Sequence, residues 1–268
     1  MNAPIGVFDS GIGGLSVLKA LRAELPLEDF IYIADSGHAP YGERDEAHVL
    51  ARSRAIVRHL VTHNVKALVM ACNTATAAAI HLLRSEYPGL ALIGVEPALK
   101  PGALLSQTGH IGVMATRSTL ASVKFQNLFD SQAGRATFVV QACDGLAAAI
   151  EHSAGTGDIS KTIALCVRYT RAMGNFGTEP GQIDTLVLGC THYPFASEAL
   201  NALLGPDVRL VDNGKAVARQ TRRLVQTHGF AETAPGQVSL FTTGAPVILQ
   251  AAAQRWLGLS APVRLLLF

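Results

Sequence analysis

Short apolar runs alternate with amphipathic or alanine-rich stretches along the chain, and this alternation limits the fold more than any other feature. Ile5-Gly6-Val7-Phe8 reads as a buried strand, and Leu15 to Leu25 reads as a helix after a glycine turn. Phe30 to Ala34 reads as a second strand. Asp45 to His63 reads as a helix with Leu50, Val57, Leu60 and Val61 on one face. Lys66 to Ala71 gives a third strand, followed by a helix through Leu83, and further strands fall near 90–95, 109–114, 136–141, 184–189 and 208–211. Strands alternating with helices predict a parallel sheet covered on both faces. In such sheets ligands bind beyond the carboxyl ends of the strands, so the polar residues that end each apolar run are the candidates for function.

The chain also repeats itself. Leu68-Val69-Met70-Ala71-Cys72-Asn73-Thr74 aligns with Leu186-Val187-Leu188-Gly189-Cys190-Thr191-His192, and Ile5 to Ser10 aligns with Ile111 to Thr116. The offsets, 118 and 106 residues, are similar but unequal, as an old duplication with insertions leaves them. Two matches in the same order predict two related α/β lobes. The first is expected over residues 1–95 plus 208–268 and the second over 96–207. Gly155, Gly157, Gly174, Gly177 and Gly181 mark loops within the second lobe rather than a tether.

Composition narrows the function classes. With 49% apolar and 16% charged residues the chain is not disordered. Its 22 Lys plus Arg against 20 Asp plus Glu form no long block of one sign, which argues against a dedicated nucleic-acid or membrane-surface role. No run is long enough to span a bilayer. The segment Met1-Asn2-Ala3-Pro4 lacks the pattern of a signal peptide. Cysteines at 72, 143, 166 and 190 show no dense spacing, so neither a disulfide scaffold nor a zinc ribbon is expected and a reducing cytoplasm is.

Cys72 and Cys190 each sit where a strand ends and a helix begins, where the helix dipole favours a thiolate. Polar residues follow both, which sets them apart from Cys143 and Cys166, read as small buried hydrophobes. Asp9-Ser10-Gly11-Ile12-Gly13-Gly14 lacks a phosphate-binding lysine, and Asp9 would repel a phosphate. Its glycines suit a tight turn that lets a small ligand approach the backbone, with Asp9 placed to orient an ammonium or accept a thiol proton. Asp35 to Gly42 reads equally as a surface turn or as a loop whose Ser, Tyr and N–H groups hold a carboxylate. His192, two residues after Cys190, suits thiol tuning better than metal binding, because no second cluster has ligand spacing. The other eight histidines read as isolated structural residues, and Glu151 reads as a solvated helix end.

Taken together, Asp9-Ser10-Gly11-x-Gly13-Gly14-Leu15, Pro40-Tyr41-Gly42-Glu43, Cys72-Asn73-Thr74-Ala75 and Gly189-Cys190-Thr191-His192-Tyr193-Pro194 closely resemble the glutamate racemases of the aspartate/glutamate racemase superfamily, over nearly the entire chain. The resemblance implies two pseudo-symmetric three-layer α/β lobes with mostly parallel sheets and an active site in the cleft between them. It implies cofactor-independent, metal-free interconversion of L- and D-glutamate, supplying D-glutamate for bacterial peptidoglycan. Inverting an α-carbon takes a proton from one face and returns one to the other, which calls for two acid/base groups. By resemblance, Cys72 takes the proton from D-glutamate and Cys190 takes it from L-glutamate. Asp9 assists Cys72, and His192 assists Cys190 with Glu151 holding the imidazole, since Glu151 follows Cys143 at the family's usual distance. Substrate contacts fall to Ser10, Tyr41, Gly42, Asn73, Thr74, Thr116, Thr119 and Thr191, with Asp9 and His192 at the same site.

Within that superfamily an aspartate or hydantoin racemase is the nearest rival, and the intact pair of cysteines tells against a one-cysteine decarboxylase or a non-catalytic sensor. Phe195-Ala196 departs from the commoner apolar pair after the proline, with no expected effect on chemistry. Only eight residues precede Asp9, whereas some relatives carry a longer extension associated with activation by a wall precursor, so that regulation is not expected. The oligomeric state stays open, a homodimer included.

Overall fold

A computed structural model describes residues 3–225 and 235–268, so His228 and the first two residues lie outside the described part. Two parallel sheets form the frame. The first comprises β1 (Ile5–Asp9), β2 (Phe30–Ala34), β3 (Ala67–Met70), β4 (Ala91–Gly94), β9 (Val238–Thr242) and β10 (Val263–Leu265), in the order β10-β9-β2-β1-β3-β4. The second comprises β5 (His110–Ala115), β6 (Thr137–Ala142), β7 (Thr185–Leu188) and β8 (Arg209–Val211), in the order β6-β5-β7-β8. The orders 2-1-3-4 and 6-5-7-8 are the same arrangement twice, so the sequence repeat is a structural repeat. The first sheet then carries β9 and β10 as an addition beyond β2.

Strand β8 pairs with β7, in register Leu186 opposite Leu210. Residues 209–211 therefore belong to the second lobe, where the sequence reading had begun the return to the first at 208. A three-residue strand carries too little pattern to show which sheet it joins. The return comes at α10 (Gly214–Val225), which packs on α1 (Leu15–Glu24).

The central strands β1, β2, β3, β5 and β7 are buried on both faces, which is why they read as continuous apolar runs. Ile5 and Val7 point into one core with α1, α10 and α11 (Pro246–Leu257), while Phe8 points into the other with α2 (Glu46–Thr62) and α3 (Asn73–Glu86). Each fully buried aliphatic side chain contributes about 1.5–3 kcal/mol relative to an exposed one. In the second lobe Met114 and Leu188 face α7 (Leu146–Thr156) and α8 (Ser160–Met173), whereas Val113 and Val187 face α4 (Leu99–Leu105) and α6 (Val123–Asp130).

Helix starts are set by local chemistry. Asp45 caps α2 by accepting the His48 N–H at 2.7 Å. Cys72 caps α3 through sulfur, with the Ala75 N–H 3.4 Å from Sγ. Thr116 caps the short α5 (Arg117–Ala121), accepting from Thr119 N–H at 3.3 Å. No α-helix begins directly after Cys190. A 3-10 turn over Tyr193–Ala196 intervenes before α9 (Ser197–Leu204), because Pro194 tightens the entry.

Candidate active site

The carboxyl ends of β1, β2, β3, β5 and β7 surround one cavity of 320 Å³ between the lobes. Cys72 and Cys190 both line it, as do Ser10, Tyr41, Gly42, Asn73, Thr74, Thr116, Glu151, Thr191 and His192. Asp9 and Thr119 are not among the lining residues; both are buried just behind it.

Cys72 is 5% exposed, and its thiol donates to Ser10 Oγ at 3.8 Å. Asp9 is fully buried; it accepts the Gly14 N–H, the Thr191 hydroxyl at 3.3 Å and the Ser10 hydroxyl at 3.4 Å. Burial pushes the Cys72 thiol well up, and the neighbouring Asp9 charge adds to the push; the Ala75 N–H only partly offsets them. Cys72 is therefore a neutral thiol at ordinary pH, although its place at a helix start favours a thiolate by itself. Burial likewise raises the Asp9 carboxyl, partly offset by the charge of His192.

Cys190 has different company. His192 Nδ1 lies 3.8 Å from Cys190 Sγ, and His192 Nε2 lies 2.7 Å from Glu151 Oε2. Burial pulls the His192 imidazole down, but its hydrogen bonds and charge interactions with Cys190 and Glu151 together carry it well above the ordinary value. The ring thus sits between a sulfur and a carboxylate, both of which favour its protonated form. Glu151 is no solvated helix end: it lies within α7, and its carboxylate is bound by His192 and by the first lobe, with 19% of the side chain left exposed.

The repeat explains the asymmetry. Asp9 ends β1, and its counterpart at the end of β5 is Ala115, which carries no charge. The second lobe supplies its polar partner from α7 and the segment after β7 instead.

The glycine turn is shaped for close approach between lobes. A Cβ on Gly11 would stand 2.5 Å from Glu151 Oε2, and one on Gly13 would stand 2.3 Å from His192 Nδ1. On Gly14 it would meet Asp9 Cβ at 2.6 Å. A Cβ on Gly42 would stand 2.9 Å from Thr116 Cβ of the other lobe.

Tyr41 differs from expectation in what its hydroxyl does. It donates to Asp35 Oδ2 at 2.5 Å, and Arg52 grips the same carboxylate at 2.9 and 3.0 Å. Thr243, at the end of β9, adds a bond of 2.8 Å. Because the phenol is committed to Asp35, the loop offers a ligand its backbone and ring face. Arg52 and Thr243 escaped the sequence reading because they lie 17 and 208 residues from Asp35. By contrast, the buried Asn73 Nδ2 has no partner among the described residues, which leaves a donor beside the cavity. Thr74, Thr116 and Thr119 form a hydroxyl cluster with oxygens 2.8 to 3.4 Å apart.

Two residues read as structural also line the cavity: Cys143, whose thiol is pushed up by burial, and His152. Cys166 sits in the second-lobe core, as a packing thiol should. The histidines outside the cavity are less isolated than they read, with His59 and His63 ring centroids 4.6 Å apart. No group of three or more His, Cys, Asp or Glu residues suited to a metal occurs among the described residues.

Comparison with known proteins gives a consistent result. The sequence model of the Asp/Glu/hydantoin racemase family matches residues 13–221. The glutamate racemase of Ectopseudomonas mendocina is 44% identical over 262 residues, which cover 97% of each chain. Among solved structures, a glutamate racemase isoform from Bacillus anthracis superposes with a TM-score of 0.85 at 31% identity, covering 100% of this chain and 98% of that one. The Escherichia coli glutamate racemase, solved with L-glutamate and the activator UDP-MurNAc-ala, gives 0.84 at 31% identity with 100% of both chains covered.

Proposed function

The chain belongs to the Asp/Glu/hydantoin racemase family, and from that footing we propose that it interconverts L- and D-glutamate by proton transfer between two cysteines. The fold and family make it an amino-acid racemase, an isomerase. The observation that carries the finer reading is that Cys72 and Cys190 line one small cavity, each with its own polar partners.

In the direction from L-glutamate, Cys190 enters as the thiolate beside the His192 cation. It takes the α-hydrogen as a proton: the S–H bond forms, the Cα–H bond breaks, and the electron pair stays on the α-carbon. The Cys72 thiol gives its own proton to the opposite face, leaving a thiolate near Asp9. The raised Cys72 value supports its entry as the donor. Starting from D-glutamate, the roles exchange. Each transfer is general acid–base chemistry of the kind that contributes about 10²–10⁴ in rate.

Substrate carboxylates are assigned to the Asn73 amide, the hydroxyls of Ser10, Thr74, Thr116 and Thr191, and the backbone at Gly42. The α3 N-terminus adds a favourable field for an anion. Packing of the two lobes around the cavity keeps these contacts in a poorly hydrated site, where they are stronger. Thr119 is assigned the task of holding the Thr74 and Thr116 hydroxyls. Four unpaired cysteines suit a reducing cytoplasm, and the D-glutamate formed is read as a precursor of bacterial peptidoglycan.

The test is direct. Protein without added cofactor, incubated with L-glutamate in deuterated buffer, is expected to lose circular dichroism and gain α-deuterium, with or without a chelator. Unchanged L-glutamate, with aspartate consumed instead, would overturn the substrate assignment; loss of turnover on chelation would overturn the metal-free mechanism.

A further inference from the structure

The Glu151 carboxylate is held from both sides of the cleft. From its own lobe, His192 Nε2 lies 2.7 Å from Oε2. From the first lobe, Ser36 Oγ donates to Oε1 at 2.9 Å and the Ile12 N–H donates to Oε2 at 3.2 Å. The surface that receives it is cut to shape, since Gly11 leaves no room for a side chain there. The Cys72 half is built differently: Asp9, Ser10, Cys72 and Ala75 all belong to the first lobe, and the second lobe reaches it through the Thr191 hydroxyl on Asp9.

We propose that Ser36 is a positioning residue for proton transfer at Cys190, acting through Glu151 and His192; this rests on the two-cysteine reading above. With Oε1 fixed by the Ser36 hydroxyl, Oε2 is turned to His192 Nε2–H, and the opposite ring nitrogen, Nδ1, faces Cys190 Sγ. The Glu151 side chain keeps 19% of its surface exposed, so with that hydroxyl gone and the 3.2 Å bond from the Ile12 N–H left as its hold on the first lobe, it has room to turn toward solvent and loosen its grip on the imidazole. The Ser36 hydroxyl has no bond to the groups that serve Cys72: Ser10, Asp9 and the Ala75 N–H. The base that acts on L-glutamate is thus completed by a residue from the opposite lobe.

The experiment compares the wild type with Ser36→Ala and Ser36→Thr. A racemase has an equilibrium constant of one, so kcat/KM must fall equally in both directions, by roughly tenfold for a lost hydrogen bond to a charged group. Isotope effects separate the two transfers. If Ser36→Ala slows the Cys190 step, the primary effect on α-deuterated L-glutamate rises while that on α-deuterated D-glutamate falls. Ser36→Thr, which keeps the hydroxyl, is expected to restore both values. Isotope effects that stay unchanged or move together in Ser36→Ala would overturn the assignment. A wild-type protein that turns over neither enantiomer would instead overturn the glutamate reading on which it stands.

Discussion

Gly13 lies so close under His192 that any side chain there would collide with the ring: a Cβ would come within 2.3 Å of Nδ1. The Asp-Ser-Gly-Ile-Gly-Gly turn is therefore a seat for the imidazole and carboxylate of the opposite lobe. Gly13→Ala is expected to push the ring away from Cys190 and lower kcat at least tenfold, with little change in far-ultraviolet circular dichroism. Gly89→Ala, where a Cβ meets open space, is the matched control and should leave kcat unaltered.

Cys72→Ala and Cys190→Ala are each expected to remove racemisation, by about 10²–10⁴ or more. Chiral chromatography of the product after long incubation checks this. Wild-type turnover by either variant would end the two-base assignment.

Glu151→Gln keeps the shape but removes the charge that helps hold His192 above its ordinary value. The imidazole should then titrate lower, and kcat should fall about ten- to hundredfold, the cost of losing a charged hydrogen-bond partner. Proton NMR of the His192 ring, titrated in both proteins, measures the direction: a ring that titrates no lower in Glu151→Gln would contradict the account.

Alkaline pH should destabilise the fold. Burial raises the Cys166 thiol from 9.0 to about 11. A group that holds its proton more tightly when folded contributes its full stability below the unfolded value and loses it as pH rises through the folded one. Urea midpoints should therefore drop between pH 9 and about 11, as far as Cys166 is concerned. The raised Cys72 and Cys143 thiols act in the same direction. Cys166→Ala should flatten the slope in that window, and an unchanged slope would count against the argument.

Phe195, of the second lobe, stacks on Trp256 of α11 with ring centroids 3.7 Å apart and planes within 8°. Trp256 is the chain's single tryptophan, so its fluorescence reports on this inter-lobe contact. Phe195→Leu is expected to shift that emission and to cost about 0.5–1.5 kcal/mol beyond lost area. Phe195, part of the departure after Pro194 from which no effect on chemistry is expected, thus has a packing role between lobes.

Strands β1, β2, β3, β5 and β7 were legible because they are buried almost throughout and bounded by turn residues, and β4, β6 and β8 because each is a short apolar run between such residues. Strands β9 and β10 were not. Val238-Ser239-Leu240-Phe241-Thr242 is broken by polar residues, and Val263-Arg264-Leu265 is a largely exposed edge strand. The cysteine pair stood out because the duplication put equal motifs at equal strand ends. The partners around it were harder to see. Ser36, Arg52 and Thr243 act through contacts that only the folded chain brings together, and no local pattern distinguishes the serine that meets Glu151 from a surface one. Cys143 read as a small buried hydrophobe because it lacks the motif shared by Cys72 and Cys190, yet it stands on the cavity wall.

The chain passes between lobes twice, near Glu96 and near Asn213, and the Asn213 amide ties the two passages together by donating to Glu96 O at 3.2 Å. The second lobe is in effect a loop cut into the first, with its entrance and exit stitched side by side. Any rotation of one half against the other would hinge at that stitch like a book at its spine, and would carry the residues on the pages' outer margins farthest.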